Sequence, residues 1–367
     1  MNRQIFLYLL LTLGMSPSYT ACRYSKTVAE QQSTDGDTAS ETDTATDIDT
    51  ATETESDTVC TLPAQFQWSA SDALIYPTEN LLSLKEPSII YYNSAWHMYA
   101  TTKDETDWSI NYLSFSDWNE AGDAAQFPVS NNENLTGYKT SPQFFFFSPK
   151  SLWYLVYQTP EPSYSTSIDI TNVENWSEAT QFMSMPILNE NGDTGGIDYW
   201  IICDETDCYI FFTNLDGVLY RARTSKTDFP DGFDETAIEV VMTYGQYELF
   251  QGVNVYKIEG ADQYLLIANA INGNVGRYLA AWTATSLDGE WTELAASAEN
   301  AFASIDNVSG ADWALDGINA GELLRTNEDE SMTISACNLQ FVYHGLIQEG
   351  ESDGLNEYAL GLLTQRP

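Results

Sequence analysis

Four polar side chains recur near the start of apolar strand-like segments. They are Glu86 in SLKEPSII, Gln143 in TSPQFFFF, Asp198 in GIDYWII and Gln251 in LFQGVNVYK. The two carboxyl groups can act as acid or base, whereas the two amides can hold hydroxyl groups but have no proton to give at neutral pH. If these segments meet, the four side chains form a polar ligand site. The alternative for each carboxylate alone is a solvated turn residue or a cap.

The segments that carry these residues belong to an internal repeat. Each is an apolar strand, a polar turn and a second apolar or aromatic strand, and the first residues fall at 86, 141, 198, 251 and 320. Three of the four steps are 53–57 residues and the last is 69. Further short strands lie between the hairpins, and no long segment has the 3.6-residue period of an amphipathic helix. Four strands in about 55 residues, five times over, predict an all-β fold, a single five-bladed β-propeller.

In such a propeller the first strand of each hairpin is the innermost one. The five strand starts therefore converge on one mouth of the central channel, and the fifth start is Asn319–Ala320. We expect Glu86 and Asp198 to face each other there, with the amides beside them.

Composition narrows the class of partner. Aromatic residues make up 13% of the chain and the net charge is −40, while only two histidines are present. The aromatics favour β-structure and sugar-binding surfaces, and the negative charge argues against nucleic acid and anionic membranes as partners. Neutral glycans remain compatible; the alternative is that the charge serves solubility in a salty medium. Two histidines exclude a histidine-rich metal site.

The first 59 residues have the composition of targeting and linking segments. Residues 1–22 combine Arg3, an apolar run and Cys22, which is typical of a bacterial lipoprotein signal with Cys22 as the lipidated residue. Ordinary cleavage near Ala21 is the alternative. Residues 23–59 are rich in Thr, Ser, Asp and Glu and predict a disordered acidic tether, leaving 60–367 as the folded domain. We therefore expect an exported protein, at the cell surface or in the outer membrane as a lipoprotein and otherwise extracellular. Its membrane attachment would come only from the lipid.

The cysteines agree with export. Without Cys22 four of the five remain, and four can pair. Cys203 and Cys208 flank a probable turn, DETD, and a bridge between Cys60 and Cys337 would tie together the two ends of the folded part.

Long stretches of the domain resemble glycoside hydrolase family 62. The resemblance is carried by FQWSASDALI, SLKEPSIIYYNSAWHMYATT, GYKTSPQFFFFSPKSLWYLVYQT, IDYWIICDETDCYIFF, FQGVNVYK and SACNLQFVYHG. It implies one five-bladed propeller, a Cys60–Cys337 disulfide and a monomer. It also implies an α-L-arabinofuranosidase that removes arabinose from arabinoxylan with inversion of configuration.

The resemblance assigns three catalytic positions, two of them altered. The base position holds Glu86, where the family has Asp, and the position that modulates the acid's pKa holds Asp198 as in the family. The acid position holds Gln251, where the family has Glu. Glu248 lies on the opposite strand face from Gln251, and Glu322 lies deeper in the channel, so neither is expected to replace the acid.

The resemblance also implies sugar contacts and an ion. The matching positions for the sugar pocket are Lys85, Gln143, Asn254, Arg277, Asn356 and Tyr358. For Lys85 and Arg277 the alternative is balancing the charge of the carboxylates. Ala320 replaces the family's histidine near the channel ion, usually calcium, so we expect no required cofactor.

Three functions follow. The first is an exported glycan-binding protein for arabinoxylan or arabinan, with cleavage impaired or lost. The second is an active arabinofuranosidase or related glycosidase, with Glu86 as base and a non-standard acid. The third is changed chemistry on a substrate whose leaving group needs little protonation.

Overall fold

Apolar strands joined by short polar turns dominate the chain, as the hairpin pattern predicts. The computed structural model describes residues 60–185, 196–351 and 355–366. The predicted signal peptide, Cys22 and the whole of the predicted tether lie outside these residues. The strands are β1 (Trp68–Ala70), β2 (Ser83–Tyr92), β3 (Ala95–Lys103), β4 (Trp108–Phe115), β5 (Phe127–Pro128), β6 (Thr140–Phe147), β7 (Leu152–Gln158), β8 (Pro162–Ser167), β9 (Thr180–Gln181), β10 (Ile197–Cys203), β11 (Asp207–Thr213), β12 (Val218–Ser225), β13 (Glu239–Thr243), β14 (Gln251–Ile258), β15 (Tyr264–Asn272), β16 (Gly276–Ala284), β17 (Thr292–Ser297), β18 (Asn300–Ala301), β19 (Val308–Ser309), β20 (Gly321–Leu323), β21 (Thr333–Ile334), β22 (Gln340–Gln348) and β23 (Glu357–Gln365).

Helical structure within the described ranges consists of short 3₁₀ helices in the loops. None of them is long and apolar enough to cross a membrane. They are Trp118–Asp123, Val129–Asn131, Glu133–Leu135, Ser148–Lys150, Val173–Asn175 and Glu235–Ala237. The all-β fold class predicted from the sequence is confirmed.

The strands form four sheets rather than five separate ones. Two sheets are four-stranded meanders, β6–β9 and β10–β13, and a third has the order β18-β17-β16-β15-β14-β21. The fourth has nine strands and contains both the first and the last predicted hairpins. Its two halves meet at one parallel pair, Ser83 with Tyr358. The count of five blades therefore stays a prediction, because the first and last hairpins share one sheet.

The first strands of the five hairpins contact one another in sequence. Each contact is a hydrogen bond between two of these strands. The bonds join β2 to β6, β6 to β10, β10 to β14, β14 to β20 and β20 back to β2. The starts of the five strands therefore border one central space. The bonds run from Phe144 N to Ser88 Oγ (3.2 Å), from Ile201 N to Gln143 Oε1 (2.7 Å), from Trp200 Nε1 to Val255 O (2.8 Å), from Leu323 N to the Tyr256 hydroxyl (3.0 Å) and from Ile89 N to Glu322 Oε2 (2.8 Å).

Buried aromatic and aliphatic side chains fill the space between the sheets. Phe229 packs with Tyr154 and Phe147, at ring-centroid distances of 5.2 and 4.6 Å, between β6, β7 and the loop after β12. Such cores hold each sheet against its neighbours and leave the polar residues at the strand starts to line the centre.

Two disulfides are present, and both pairings agree with those predicted. Cys60–Cys337 joins residues separated by 277 positions, whereas Cys203–Cys208 joins residues separated by five. Cys203 and Cys208 face each other across the β10–β11 hairpin. Only the first bond closes a long loop.

Removing the long-range disulfide should cost more stability than removing the local one. In the chain-entropy account the benefit grows with loop length, so the double change Cys60→Ser/Cys337→Ser should lower the free energy of unfolding by about 5–6 kcal/mol. The matched control, Cys203→Ser/Cys208→Ser, should lower it by about 2 kcal/mol. Urea titrations of the three proteins measure both values; equal losses would contradict the argument.

Candidate active site

The same backbone irregularity begins four of the first strands. β6, β10 and β14 each shift register against their partner after the first residue, and β2 shifts between Lys85 and Ser88. The bulged residues have positive φ: Glu86 at 48°, Ser141 at 51°, Asp198 at 56° and Gly252 at 67°. Side chains rarely adopt this conformation, and residues that do so cluster at functional sites. A bulge of this kind re-aims a side chain, here toward the space shared by the strands.

The bulge shows which residues of the repeat are structurally equivalent, and they are not all the four polar residues aligned from the sequence. Glu86, Ser141, Asp198 and Gly252 occupy equivalent positions, whereas Gln251 lies one residue before its bulge and Gln143 lies two residues after. Gly252 is required where it stands, because an added Cβ would lie 2.9 Å from Cβ of Ala320.

The bulged residues border a small open pocket with about 350 Å³ of empty volume. Its wall is formed by the starts of β2, β6, β10 and β14 together with the segment that leads into β20. The lining residues are Glu86, Pro87, Ser141, Pro142, Asp198, Tyr199, Trp200, Gly252, Val253, Asn254, Ala320 and Gly321.

Glu86 is held by donors on three sides. Its Oε2 accepts from the Thr101 hydroxyl at 2.8 Å and lies 3.1 Å from Ser141 Oγ. Its Oε1 is 3.9 Å from Lys85 Nζ. Its backbone N–H lies 3.2 Å from Nδ1 of His344, in place to donate when that nitrogen is unprotonated. The carboxyl group is therefore fixed at the pocket wall.

Asp198 is joined to Glu86 through Ser141. Its Oδ1 lies 2.5 Å from Ser141 Oγ, and its Oδ2 accepts from the backbone N–H of Gly252 at 2.9 Å. Burial, and then the charge of Glu86, raise the pKa of Asp198 to about 6 against the opposing effects of Ser141, Gly252 and Lys85. The carboxyl group thus titrates in the range where a proton donor or a modulating group is useful.

The two carboxyl groups are close together. The two contacts of Ser141 Oγ place Oε2 of Glu86 and Oδ1 of Asp198 within the combined length of 3.1 and 2.5 Å. Inverting glycosidases separate their acid and base carboxyl groups by roughly 6.5–9.5 Å to admit water. This spacing suits a base and a neighbouring modulator better than a base and an acid.

Gln251 is buried, at 8% exposure, and does not line the pocket. It pairs with Asn269 on β15. Asn269 is completely buried, and within the described part of the chain neither its amide nitrogen nor its amide oxygen has a hydrogen-bond partner. An amide at this position has no proton to transfer.

The two acidic residues weighed as replacements are engaged elsewhere. Glu248 accepts from Gly245 N at 3.0 Å within its own turn. Glu322 is fully buried and lies 2.6 Å from Nε of Arg325, and it also accepts from Ile89 N. Both carboxylates therefore have local structural partners.

The predicted sugar contacts fall into three groups. Asn254 lines the pocket, and Lys85 stands beside Glu86 with its ammonium group 4.8 Å from the Tyr358 ring centroid. Gln143 is 1% exposed and binds the backbone of Ile201 at both ends of its amide, each at 2.7 Å. Its amide bridges two first strands.

Two of the remaining predicted contacts, Arg277 and Tyr358, lie beside Asp316. Arg277 Nε lies 3.7 Å from Asp316 Oδ2, and the Tyr358 hydroxyl lies 3.4 Å from the same oxygen. Asn356 Oδ1 accepts from Gly350 N at 2.9 Å. Arg277 Nη1 is buried and has no hydrogen-bond partner among the described residues.

Sequence reasoning missed Ser141, Thr101 and Asp316. A usable signal existed for Ser141, because Ser141-Pro142 matches Glu86-Pro87 when the two hairpins are aligned on proline. Thr101 lies on the second strand of the first hairpin and Asp316 lies in a loop, so their approach to the site depends on the register of β3 and on the path of that loop.

The residues near Ala320 do not fit a channel ion. Ala320 offers only a methyl group to the pocket, and His344 Nδ1 lies 2.8 Å from the Ala320 carbonyl. The nearby carboxylate of Glu322 is already paired with Arg325. Across the described ranges, no group of three His, Cys, Asp or Glu residues is arranged to hold a metal. That no cofactor is needed stays a prediction.

Comparison with known proteins decides the family. The sequence profile of glycosyl hydrolase family 62 matches residues 67–364. This chain belongs to glycosyl hydrolase family 62. It is 40% identical over 310 residues to alpha-L-arabinofuranosidase C of Cellvibrio japonicus, an alignment that covers 83% of this chain and 48% of the relative. The chain therefore spans about half the length of that relative.

Solved structures of family 62 have the same fold. The catalytic domain of the Coprinopsis cinerea GH62 alpha-L-arabinofuranosidase matches with a TM-score of 0.79 and 38% identity, over 83% of this chain and 98% of that one. The alpha-L-arabinofuranosidase PaAbf62A of Podospora anserina, solved in complex with cellotriose, matches with a TM-score of 0.79 and 32% identity, over 83% and 98%.

The raised pKa of Asp198 predicts a pH-dependent stability. Because the folded state keeps this proton to about pH 6 and the unfolded state loses it near its ordinary value, the contribution of Asp198 to stability is present at low pH. It is lost as the pH rises through about 6. Relative to Asp198→Asn, which cannot titrate there, the wild type should lose free energy of unfolding between pH 4 and pH 7.

Urea titrations at four pH values measure this difference. Asp104→Asn is the control: hydrogen bonds from the backbone of Asp107 and Thr106 lower the pKa of Asp104, so its contribution to stability is lost only at lower pH, and its difference from the wild type should stay nearly constant between pH 4 and pH 7. A constant difference between the wild type and Asp198→Asn would show that Asp198 titrates normally.

Proposed function

We propose that this chain binds arabinose-containing polysaccharides such as arabinoxylan or arabinan and that it cleaves them slowly or not at all. Two features together carry the proposal. A pocket has Glu86 and Asp198 at its wall, and the acid position holds Gln251. The relatives named above are arabinofuranosidases, which supports arabinose as the sugar.

Inverting hydrolysis needs three functions at this site. A base takes a proton from water as it attacks the anomeric carbon, and an acid protonates the departing oxygen; a third carboxyl group sets the pKa of the acid. Glu86 and Asp198 supply the first and third. General acid catalysis contributes about 10²–10⁴-fold, so its absence leaves a site that still recognises a sugar but turns over poorly.

The alternative is an active arabinofuranosidase that uses Glu86 as base and a non-standard acid. Its support is the 40% identity to alpha-L-arabinofuranosidase C and the contact of Glu86 and Asp198 through Ser141. A substrate with a good leaving group needs little protonation, and the same site could cleave it without an acid.

The finer architecture belongs to the same proposal. We infer five blades, with the nine-stranded sheet being two blades joined at Ser83 and Tyr358. The ring of hydrogen bonds between the five first strands supports this count. We further infer a monomer.

The proposal places the protein outside the cytoplasm, anchored through a lipid on Cys22 or released. Two disulfides support an oxidising compartment. The strongly negative charge makes a neutral glycan a better partner than nucleic acid or an anionic membrane.

Restoring the acid should restore turnover. Gln251→Glu, alone and with Glu86→Asp, should raise arabinose release from arabinoxylan by about 10²–10⁴-fold, because the departing oxygen then receives a proton. The exposed change Gln181→Glu is the control for added charge and should have no effect. Chromatography of released arabinose measures the rates.

An activated aryl arabinofuranoside separates the two candidate functions. The wild type should cleave this substrate in preference to arabinoxylan. Wild-type turnover of both substrates at rates that Gln251→Glu does not improve would support the alternative and overturn the binding proposal.

The pocket itself should carry the affinity. Asn254→Ala removes a polar side chain that lines the pocket, and the loss of hydrogen bonds to sugar hydroxyls should weaken binding to arabinoxylan oligosaccharides about tenfold or more. Isothermal titration calorimetry measures the dissociation constants. Asn175→Ala, an exposed loop residue, is the matched control; an equal effect of both changes would place the binding site elsewhere.

A further inference from the structure

Ser141 stands between the two carboxyl groups. It has the same positive φ as Glu86 and Asp198 and lines the same pocket. Its Oγ lies 2.5 Å from Oδ1 of Asp198 and 3.1 Å from Oε2 of Glu86. Its backbone N–H donates to Thr101 Oγ1 at 2.8 Å, which fixes the residue on the side of Glu86.

Counting donors shows which protonation state fits these contacts. A serine hydroxyl has one hydrogen, so it cannot donate to two carboxylates at once. If both carboxyl groups are ionised, one carboxylate oxygen faces a lone pair of Ser141 Oγ and receives no hydrogen bond from it. If Asp198 carries a proton on Oδ1, every contact has a donor and an acceptor, because Oδ2 still accepts from Gly252 N.

We propose that Ser141 is a positioning residue that joins Glu86 and Asp198 into a unit holding one shared proton. In this unit Asp198 Oδ1–H donates to Ser141 Oγ, and Ser141 Oγ–H donates to Glu86 Oε2. Glu86 then remains the single carboxylate, held by the hydroxyls of Thr101 and Ser141 and faced by Lys85.

The groups around the Glu86–Ser141–Asp198 unit favour one bound proton on the unit over none. Burial, followed by the charge of Glu86, raises the pKa of Asp198 to about 6. The hydroxyl of Tyr138 stays neutral because burial raises its pKa, and burial holds the pKa of His344 well below its ordinary value, so that this ring is neutral too. The titratable groups that face the unit are Lys85, Tyr138, Tyr199 and His344.

The unit has a consequence for the ligand, and that consequence rests on the proposed function. Below about pH 6 the pocket presents one charge and a Glu86 fixed by two hydroxyls. When Asp198 ionises, the pocket gains a second charge and Ser141 can serve only one of the carboxylates. Glycan binding should therefore weaken as the pH rises through about 6.

Carboxyl titration in the unliganded full chain tests the shared proton directly. With ¹³C-labelled Asp and Glu, NMR should show Asp198 titrating near pH 6, with the Glu86 signal responding at the same midpoint. Ser141→Ala and Ser141→Gly should both displace the Asp198 midpoint and remove the matching response of Glu86, because the hydroxyl that joins the two carboxyl groups is lost. Glycine fits the positive φ and serves if the alanine variant does not fold.

A buried serine outside the site is the matched control. Ser165 is completely buried and bonds the Tyr157 hydroxyl, so Ser165→Ala removes a comparable contact and should leave the Asp198 titration unchanged. An Asp198 midpoint below pH 5, or one that the Ser141 variants leave in place, would overturn the proposal.

The pH profile of glycan binding gives the second readout. Wild-type affinity for an arabinoxylan oligosaccharide should fall at least threefold from pH 5 to pH 7. Asp198→Asn, whose amide can donate to Ser141 and accept from Gly252, should bind with a nearly flat profile. A wild type without measurable binding at any pH would refute the proposed function and leave the NMR titration to decide the shared proton, whereas a flat wild-type profile would refute the role of Ser141 in binding.

Discussion

The candidate site depends on a backbone constraint, the positive φ of the first bulged residue in four strands. In a regular strand, successive side chains point to opposite faces of the sheet. With the bulge, Glu86, Ser141 and Asp198 all point into the space that the sheets share. The positive φ is energetically unfavourable, and contacts between neighbouring hairpins hold these residues in that conformation. Strained residues at functional sites usually persist because the surrounding structure fixes them in this way.

Those contacts follow a rule. The backbone N–H of each bulged residue lies against a side chain on the second strand of the preceding hairpin: Ser141 N against Thr101 and Asp198 N against Gln158. Gly252 breaks the rule because its N–H donates to Asp198 instead, and Thr213, at the corresponding place, has no partner for its hydroxyl among the described residues. Asp198 thus links the second, third and fourth hairpins around the pocket.

The sequence predicted the fold class and the site's main carboxyl groups because both depend on local patterns. Alternating apolar strands and polar turns show the hairpins, and Glu86 and Asp198 stand out as polar residues at apolar starts. It did not place Gln143, whose amide bonds Ile201 rather than facing the pocket, since a shift of two residues across a bulge changes the direction of a side chain. The union of the first and last hairpins in one sheet was also not predictable, because it rests on the pairing of Ser83 with Tyr358, far apart in the chain.

In the proposed function, Gln251 at the acid position changes the roles that the remaining carboxyl groups can have. A modulating carboxyl group has a role in catalysis only if an acid stands beside it, and an amide removes that acid while keeping its size and its ability to hydrogen-bond. Asp198 nevertheless keeps a raised pKa and a tight contact through Ser141 to Glu86. Two partly buried carboxyl groups held side by side are unfavourable, because each loses part of its hydration and the two repel each other when both are ionised. The arrangement is better explained by a site in which one shared proton fixes the charge and shape presented to a sugar.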